Sequence, residues 1–384
     1  MRAVGIDISA SGIRIAEVEP KLRDQFVTVK KLAFEPFPPD SSPVYPGGTI
    51  AYPVAVADAL ARALKAAKIP PRKIVVPVRS GVGTALHSVP VGLKNAAEYE
   101  AAIRGLADIP LWHEEGFERT TARLSWKVVN QHVTGAGVHK ELLAITAVRR
   151  ESVEQIEEVL ELARVEPLAI DTQPACLLRA LVRTHPDDDE VVTIVDVGAS
   201  STSVLTRRGP YPRHFVVIPS GGRKLTEAVQ QNLGLSFADA DTQKRYMRLE
   251  APDLDSTIYG FGSSAAPSSY TQLDRDLSSA ADDIIEEIAV AIEADASSNP
   301  ANPTTGIQLV GLASRMSGFR QRLESRTGLP VHYGQPWVSM ASAKVAEKLV
   351  GDDPFEQRRL IMSFSTAIGA ALWPLTTRPS VDNN

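Results

Sequence analysis

Apolar positions alternate along the first stretch of the chain. Val4, Ile6 and Ile8 share one face, and Ile13 and Ile15 resume the pattern after the small polar break Ser9-Ala10-Ser11-Gly12. A period of two on both sides of such a break predicts a β-hairpin over 3–19 with a polar tip. A third strand is predicted near 26–34. Residues 36–53, with six prolines and Gly47-Gly48, read as an irregular loop. The period then lengthens: Val56, Leu60 and Leu64 lie four apart, predicting a helix over 54–67 that Ile69-Pro70-Pro71 ends. Further elements follow as a buried strand at 74–78, a helix at 95–107 and strands at 121–129 and 142–148. A helix at 152–164 carries the stripe Val153, Ile156, Val159, Leu160 and Ala163; a strand at 168–170 and a helix at 176–182 come after it. Helices interleaved with apolar strands predict a layered α/β fold.

The run HPDDDE at 185–190 breaks the apolar pattern and marks a boundary. Its aspartates read as surface charge ahead of a strand rather than as a metal site. Beyond it the opening pattern returns. TIVDVGASSTSVL matches GIDISASGIRIAEV in form: an apolar strand carrying an aspartate near its end, a small polar turn, a returning strand. Asp7 and Asp196 stand about half the chain apart, so two copies of one α/β unit are predicted. The second half continues with a strand at 215–218, a turn at Gly221-Gly222 and helices at 225–233 and 237–249. A Pro-, Ser- and Gly-rich loop at 250–272 and a long helix at 273–294 lead to a strand at 307–310 that runs into Gly311. A helix at 319–327, a strand from 331, a helix at 341–349 and a small-residue helix at 363–372 precede a tail expected to be disordered.

Composition narrows the function classes. The 384 residues are 43% hydrophobic, enough for two or three cores, and the formal charge is −5, which disfavours nucleic-acid backbone binding. A single cysteine, Cys176, sits in an apolar run; it excludes an internal disulfide and a four-cysteine zinc site, and reads as a buried thiol. The N-terminal residues lack a secretory pattern and no run of 18 apolar residues occurs, so a cytoplasmic location without membrane insertion is expected.

The two hairpin turns carry the candidate chemistry. Backbone N–H groups in a small-residue turn can hold phosphate oxygens, and a carboxylate at the turn's base can orient Mg2+. Two such tips facing each other would clamp a nucleotide's phosphates from both sides. Ordinary surface turns would read the same way singly; their pairing, with Gly221-Gly222 and Gly311 after later strands, favours the phosphate reading. No GxxxxGK[ST] run and no GxGxxG run is present.

Taken in order, GIDISASGIRIAEVE, VDVGASSTSV, IPSGGRKLTEAV with LGLSFADADTQKR, and LVGLASRMSGFRQRLESRTGLPV resemble the nucleotide-binding segments of the actin-like ATPase superfamily. ELLAITAVRRESVEQIEEVLELARVEPLAIDTQPACLLRAL is similar to its type IV pilus assembly branch, the PilM-like relatives of the cell-division protein FtsA. The resemblance implies an actin-like α/β fold with duplicated ribonuclease-H-like cores and an inserted small α/β subdomain. The first core would span 1–94 and 167–190, the insert 95–166, and the second core 191–361, with its smaller subdomain near 223–300; 362–384 would return to the first core. It implies ATP and Mg2+ as ligands. Asp7 and Asp196 would address the metal. Ser9, Ala10 and Ser11, and Gly198, Ala199 and Ser200, would contact phosphates. Gly221, Gly222 and Lys224 would lie near ribose and phosphates, and Asp241 and Lys244 would match the family's ribose- and base-contacting helix. Gly311 would open the adenosine loop, and Gln173, or less readily Asp171, would position attacking water. Ser9 stands where relatives carry glycine, and Leu312 follows Gly311 where a second glycine is usual, so the resemblance implies weak hydrolysis or none.

It further implies a partner: the cytoplasmic N-terminal peptide of a PilN-like membrane protein, bound extended in a groove, together with other pilus platform proteins and self-association. The segment 108–116, with Ile109, Leu111 and Trp112, is a candidate exposed apolar surface, with core packing of Trp112 as the other reading. An FtsA-like division scaffold, a small-molecule kinase on the same fold and a nucleotide-free protein-interaction module are the alternatives. The C-terminal TTRPSVDNN lacks the long apolar face of a membrane-binding helix, which speaks against the division scaffold.

Overall fold

A computed structural model describes residues 2–20, 27–38, 41–106, 109–112, 117–133, 136–183, 188–249, 272–337, 339–340 and 354–376. The predicted loop at 250–272, save its last residue, the helix at 341–349 and the tail from 377 lie outside the described residues. The chain packs as two compact units. One comprises Met1–Val191, Leu205–Val216 and Gln335–Asn384; the other comprises Val192–Val204 and Val217–Gly334.

The opening hairpin forms as its alternation predicts. β1 (Ala3–Ser9) pairs antiparallel with β2 (Gly12–Pro20), with Ser9 opposite Gly12, and β2 pairs with β3 (Val27–Pro36). On its other side β1 runs parallel to β4 (Arg72–Val78), which pairs parallel with β8 (Glu166–Thr172). A short β14 (Ser339–Met340) extends the edge beside β3. Helix α1 (Pro53–Ala67) starts on a proline, whose missing N–H costs nothing in the first turn. Its stripe of Val56, Leu60 and Leu64 is fully buried, worth roughly 1.5–3 kcal/mol per side chain. α3 (Arg150–Leu162) buries Ile156, Val159 and Leu160, and α4 (Gln173–Leu181) follows β8 directly.

The second sheet repeats this strand order. β9 (Val191–Val197), β10 (Thr202–Arg208) and β11 (Tyr211–Ile218) stand where β1, β2 and β3 stand in the first sheet. β12 (Ile307–Val310) and β13 (Val331–Tyr333) extend it in parallel from β9. α5 (Gly222–Leu233), α6 (Phe237–Lys244), α7 (Gln272–Ser298) and α8 (Phe319–Thr327) complete this half. α6 stops short of the helix expected to reach residue 249, because the chain beyond it is drawn to residue 317: Leu249 N–H donates to the Ser317 carbonyl at 2.8 Å.

Of the insert expected at 95–166, α2 (Ala96–Gly105), β6 (Arg123–Val133) and β7 (His139–Val148) stand together, but their three-stranded antiparallel sheet takes β5 (Val82–Pro90) from before residue 95, and α3 packs instead with α1 and β8 of the first sheet's layer; the insert as the structure defines it is the small sheet with α2. Asn95 caps α2 by accepting from Glu98 N–H, and Glu98 reaches back to Lys94 N–H at 2.8 Å. Alternation does not announce β5, because Gly83, Thr84 and Ser88 blur it. At Ile109, Leu111 and Trp112 the structure holds core packing rather than an exposed apolar surface. Ile109, Leu111 and Trp112 are 1%, 2% and 7% exposed and pack with Ile103, Phe117, Leu143 and Ile145 as the insert's own core. A small sheet with one helix has few other apolar groups to exclude water.

The small-residue helix near the C-terminus, α10 (Ser365–Thr376), follows α9 (Pro354–Ser363) and packs on β1 and α4. It can do so because Gly5 and Gly369 lack Cβ atoms: a methyl at Gly369 would overlap the Cys176 carbonyl, and one at Gly5 the Ala367 carbonyl. Among the described residues no helix is long and apolar enough to cross a membrane. Replacing Gly369 by Val is expected to destabilise the protein by about 2–3 kcal/mol through overpacking, read as a lower urea midpoint with an unchanged m value.

Candidate phosphate-binding loops

In the first unit three parallel strands, β1, β4 and β8, end side by side, the place where open α/β sheets take ligands. The hairpin turn Ser9–Gly12 is held by its neighbours. Ser42 Oγ donates to the Ala10 carbonyl at 2.8 Å, and Phe37 N–H to the Ser11 carbonyl at 3.1 Å. Arg14 Nη1 donates to both Ser9 Oγ and Ser11 Oγ, at 3.1 and 3.0 Å, while its guanidinium lies 4.6 Å from the Phe34 ring centre. Asp7 is buried, and Arg79 Nη1, just past the end of β4, donates to its Oδ1 at 2.7 Å. Gln173, the first residue of α4, is fully buried. Asp171 is committed to Arg179 and to the Thr172 N–H, which ties it to structure rather than to water positioning. Burial pulls the Arg179 guanidinium down to about 10. Burial first, and the Asp7 charge second, push the Cys176 thiol well up, with Arg79 opposing.

The second unit brings its predicted residues together. Asp196 lies near the end of β9, level with Val310, and Gly311 follows at once. Gly311 holds φ +88, and a Cβ there would come within 2.7 Å of Asp196 Oδ1 and overlap the Val197 carbonyl, so only glycine keeps the carboxylate's flank open. Gly198 N–H donates to the Ser201 carbonyl at 2.9 Å and closes the turn. The first N–H groups of α5 then donate back to it, Gly222 to the Gly198 carbonyl at 2.9 Å and Arg223 to the Ala199 carbonyl at 2.6 Å. The turn's carbonyls thus face the positive end of the α5 dipole.

Lys244 ties α6 to this corner, donating to Asp241 Oδ1 at 2.7 Å, Thr226 Oγ1 at 2.6 Å and the Gly222 carbonyl at 3.2 Å. Burial alone would raise Asp241, but the charges and hydrogen bonds of Lys244 and Arg245 hold it below the ordinary aspartate range. Lys224 pairs instead with Glu287 on α7, at 3.2 Å.

The two aspartates differ in their fitness for Mg2+. Asp196 is half-buried, with Gly311 leaving space at its flank; a Mg2+ ion bound through one carboxylate, waters and phosphates fits that donor set. Asp7 already has a guanidinium on its carboxylate, and the donor set there does not fit a divalent cation. Among the described residues no group of three or more His, Cys, Asp or Glu could hold a metal by itself. Sequence reasoning missed Arg79 and Arg14. The signal for Arg79 was an arginine directly after the buried apolar run Ile74–Val78, where a charge must find a buried partner.

A separate cavity of about 400 Å³ lies in the first unit. Thr49, Ser80, Ser152 and Gln155 line it from the core, and Glu118 and Thr121 from the insert.

Two mixed sheets with one strand order, each with a small-residue turn beside the ends of its parallel strands, define a mixed α/β protein built on a repeated plan. The chain belongs to the family of type IV pilus assembly protein PilM, whose profile matches residues 5–258. Its fold is similar to that of a chain in a PilM–PilN type IV pilus biogenesis complex, with a TM-score of 0.70 and 21% identity over 98% of this chain and 99% of that one. Weaker likenesses include the ethanolamine utilization protein EutJ from Carboxydothermus hydrogenoformans, at 12% identity and a TM-score of 0.49 over 97% and 89% of the two chains. MreB5 of Spiroplasma citri bound to ADP gives 12% identity and a TM-score of 0.48 over 98% and 99%.

Because the folded-state pKa of Asp241 is depressed, its contribution to stability is present at neutral pH and lost as pH falls through that value. Asp241→Asn is expected to cost about 0.5–1 kcal/mol at neutral pH and progressively less as pH falls below the ordinary aspartate range, as measured by urea unfolding across a pH series.

Proposed function

We propose that this protein is an ATP-binding scaffold of the type IV pilus inner-membrane platform, on an actin-like fold with duplicated ribonuclease-H-like cores. It stands at the cytoplasmic face and is held there by a PilN-like membrane protein. The observation that carries the reading is the PilM family match, whose span includes both hairpin turns and every residue named above as lining the cavity. The repeated strand order supports the duplicated cores.

Phosphates would bind to backbone N–H groups of Ser9–Ser11 and of Ala199 and Ser200, with Gly198, whose N–H closes the turn, keeping that backbone in place and Mg2+ on the Asp196 side. The Lys244–Asp241–Thr226 cluster would fix the start of α5 against the second turn. The extended PilN-like peptide would lie in the 400 Å³ cavity shared by the first core and the insert. Nucleotide state would bias the partner surface. Other platform proteins and a second copy of the chain would dock elsewhere.

A module that binds its partner while hydrolysing ATP weakly or not at all is favoured over an active ATPase by one feature. The first turn's hydroxyls and aspartate are engaged by Arg14 and Arg79.

Asp196→Ala is expected to weaken Mg-ATP binding by about tenfold or more and leave peptide affinity within about twofold. Calorimetry showing equal nucleotide affinity would remove Asp196 from the site. Thr121→Trp, which fills the cavity from an exposed position of the insert, is expected to do the reverse. Titration with a synthetic N-terminal peptide of the PilN-like protein reads it, and unchanged peptide affinity would place the groove elsewhere.

A further inference from the structure

The ion pair between Asp7 and Arg79 lies where a metal-directing carboxylate was expected. Its two side chains are 5% and 9% exposed, and the separation is 2.7 Å. Three elements enclose it. β1 carries Asp7 and β4 leads directly into Arg79. The turn around Gly48 comes so close that a Cβ on Gly48 would lie 2.7 Å from the Arg79 Cβ. On α4, Cys176 packs against Val75 of β4, the strand that leads into Arg79. A carboxylate in this position needs a counter-charge, because an ionised group taken out of water is stable only when paired. Arg79 supplies that charge covalently. A divalent cation arriving at the same carboxylate would have to displace a buried guanidinium or sit against it, and like charges a few ångströms apart in a poorly hydrated site repel strongly. The neighbouring turn follows the same logic, since Arg14 donates to the Ser9 and Ser11 hydroxyls, the turn's two side-chain oxygens.

We propose that Asp7 is not a metal ligand in this chain but the anchor that fixes Arg79, and that Arg79 takes the cation's place beneath the first hairpin turn. Asp7 is thereby a positioning residue, acting through the arginine. The phosphate role of that turn rests on the nucleotide reading given above; the absence of a metal from Asp7 does not. If both hold, nucleotide phosphates meet fixed guanidinium charge on this side, and any Mg2+ is carried from the Asp196 side.

The test uses the full chain and Mn2+ as the probe, with free Mn2+ followed by electron paramagnetic resonance in the absence and presence of ATP. Wild type is compared with Asp7→Asn, Arg79→Gln, Arg79→Lys and the double variant Asp7→Asn/Arg79→Gln. The double variant removes both charges together and so keeps the comparison interpretable if a single variant fails to fold. The Mn2+ dissociation constants of wild type and double variant are expected to agree within about twofold, and the double variant to melt above either Asp7→Asn or Arg79→Gln. A loss of about tenfold or more in Mn2+ affinity in the double variant, with ATP still bound by wild type, overturns the proposal and leaves the nucleotide reading standing. Mn2+ behaviour identical in both forms with no ATP bound by either supports the assignment of Asp7 and overturns the nucleotide reading instead. Where ATP does bind, its affinity in EDTA is expected to fall about tenfold or more with Arg79→Gln and to recover largely with Arg79→Lys; an unchanged affinity overturns the arginine's role.

Discussion

The structure depends on how β1 and β9 are paired. Each strand is antiparallel to its hairpin partner on one side and parallel to a later strand on the other. A strand so placed cannot be an edge, and its C-terminal end must leave the sheet through a tight turn. The turn's backbone then lies beside the ends of the parallel strands, and its carbonyls are met from other segments, by Phe37 N–H and Ser42 Oγ in the first turn and by the start of α5 in the second. Small residues follow from that constraint: Ser-Ala-Ser-Gly in one turn and Gly-Ala-Ser-Ser in the other let the chain reverse without side-chain collision. The aspartate sits just before each turn, where a charge can be met by whatever the neighbouring strand end provides.

What the neighbouring strand provides differs between the two sheets, and that difference decides the chemistry. Beside Asp196 the next parallel strand leads into Gly311, whose missing Cβ avoids a clash with the carboxylate. Beside Asp7 the next strand ends in Arg79, which gives charge. One backbone plan therefore sets a glycine beside the carboxylate in one copy and an arginine beside it in the other. A breakage of the buried pair by removal of one partner would cost about 3–5 kcal/mol, a large share of the stability of any domain.

Much of the fold was legible in the sequence because period and punctuation agreed. The first hairpin, α1 after its Pro-rich loop and α3 with its stripe were all set by local pattern. The strand β5 was not, since Gly83, Thr84 and Ser88 hide its alternation and only pairing with β7 defines it. Trp112 stayed open between an exposed surface and core packing, because a large aromatic in a short irregular segment reads either way; its burial depends on what an insert this small has available to fill its interior. At the loops, the sequence identified residue types and order. It did not identify that Arg79, far along the chain from Asp7, would claim that carboxylate, because charge pairing across strands depends on register.

The packing of α10 against α4 has a further use. It closes over Cys176, the chain's single cysteine, and leaves it fully buried with its thiol held in the protonated form. A protonated, enclosed thiol reacts slowly with maleimides and oxidants. The protein is in effect a cysteine-free background on which one engineered surface thiol would carry a fluorophore or spin label alone, with no native residue to be removed first.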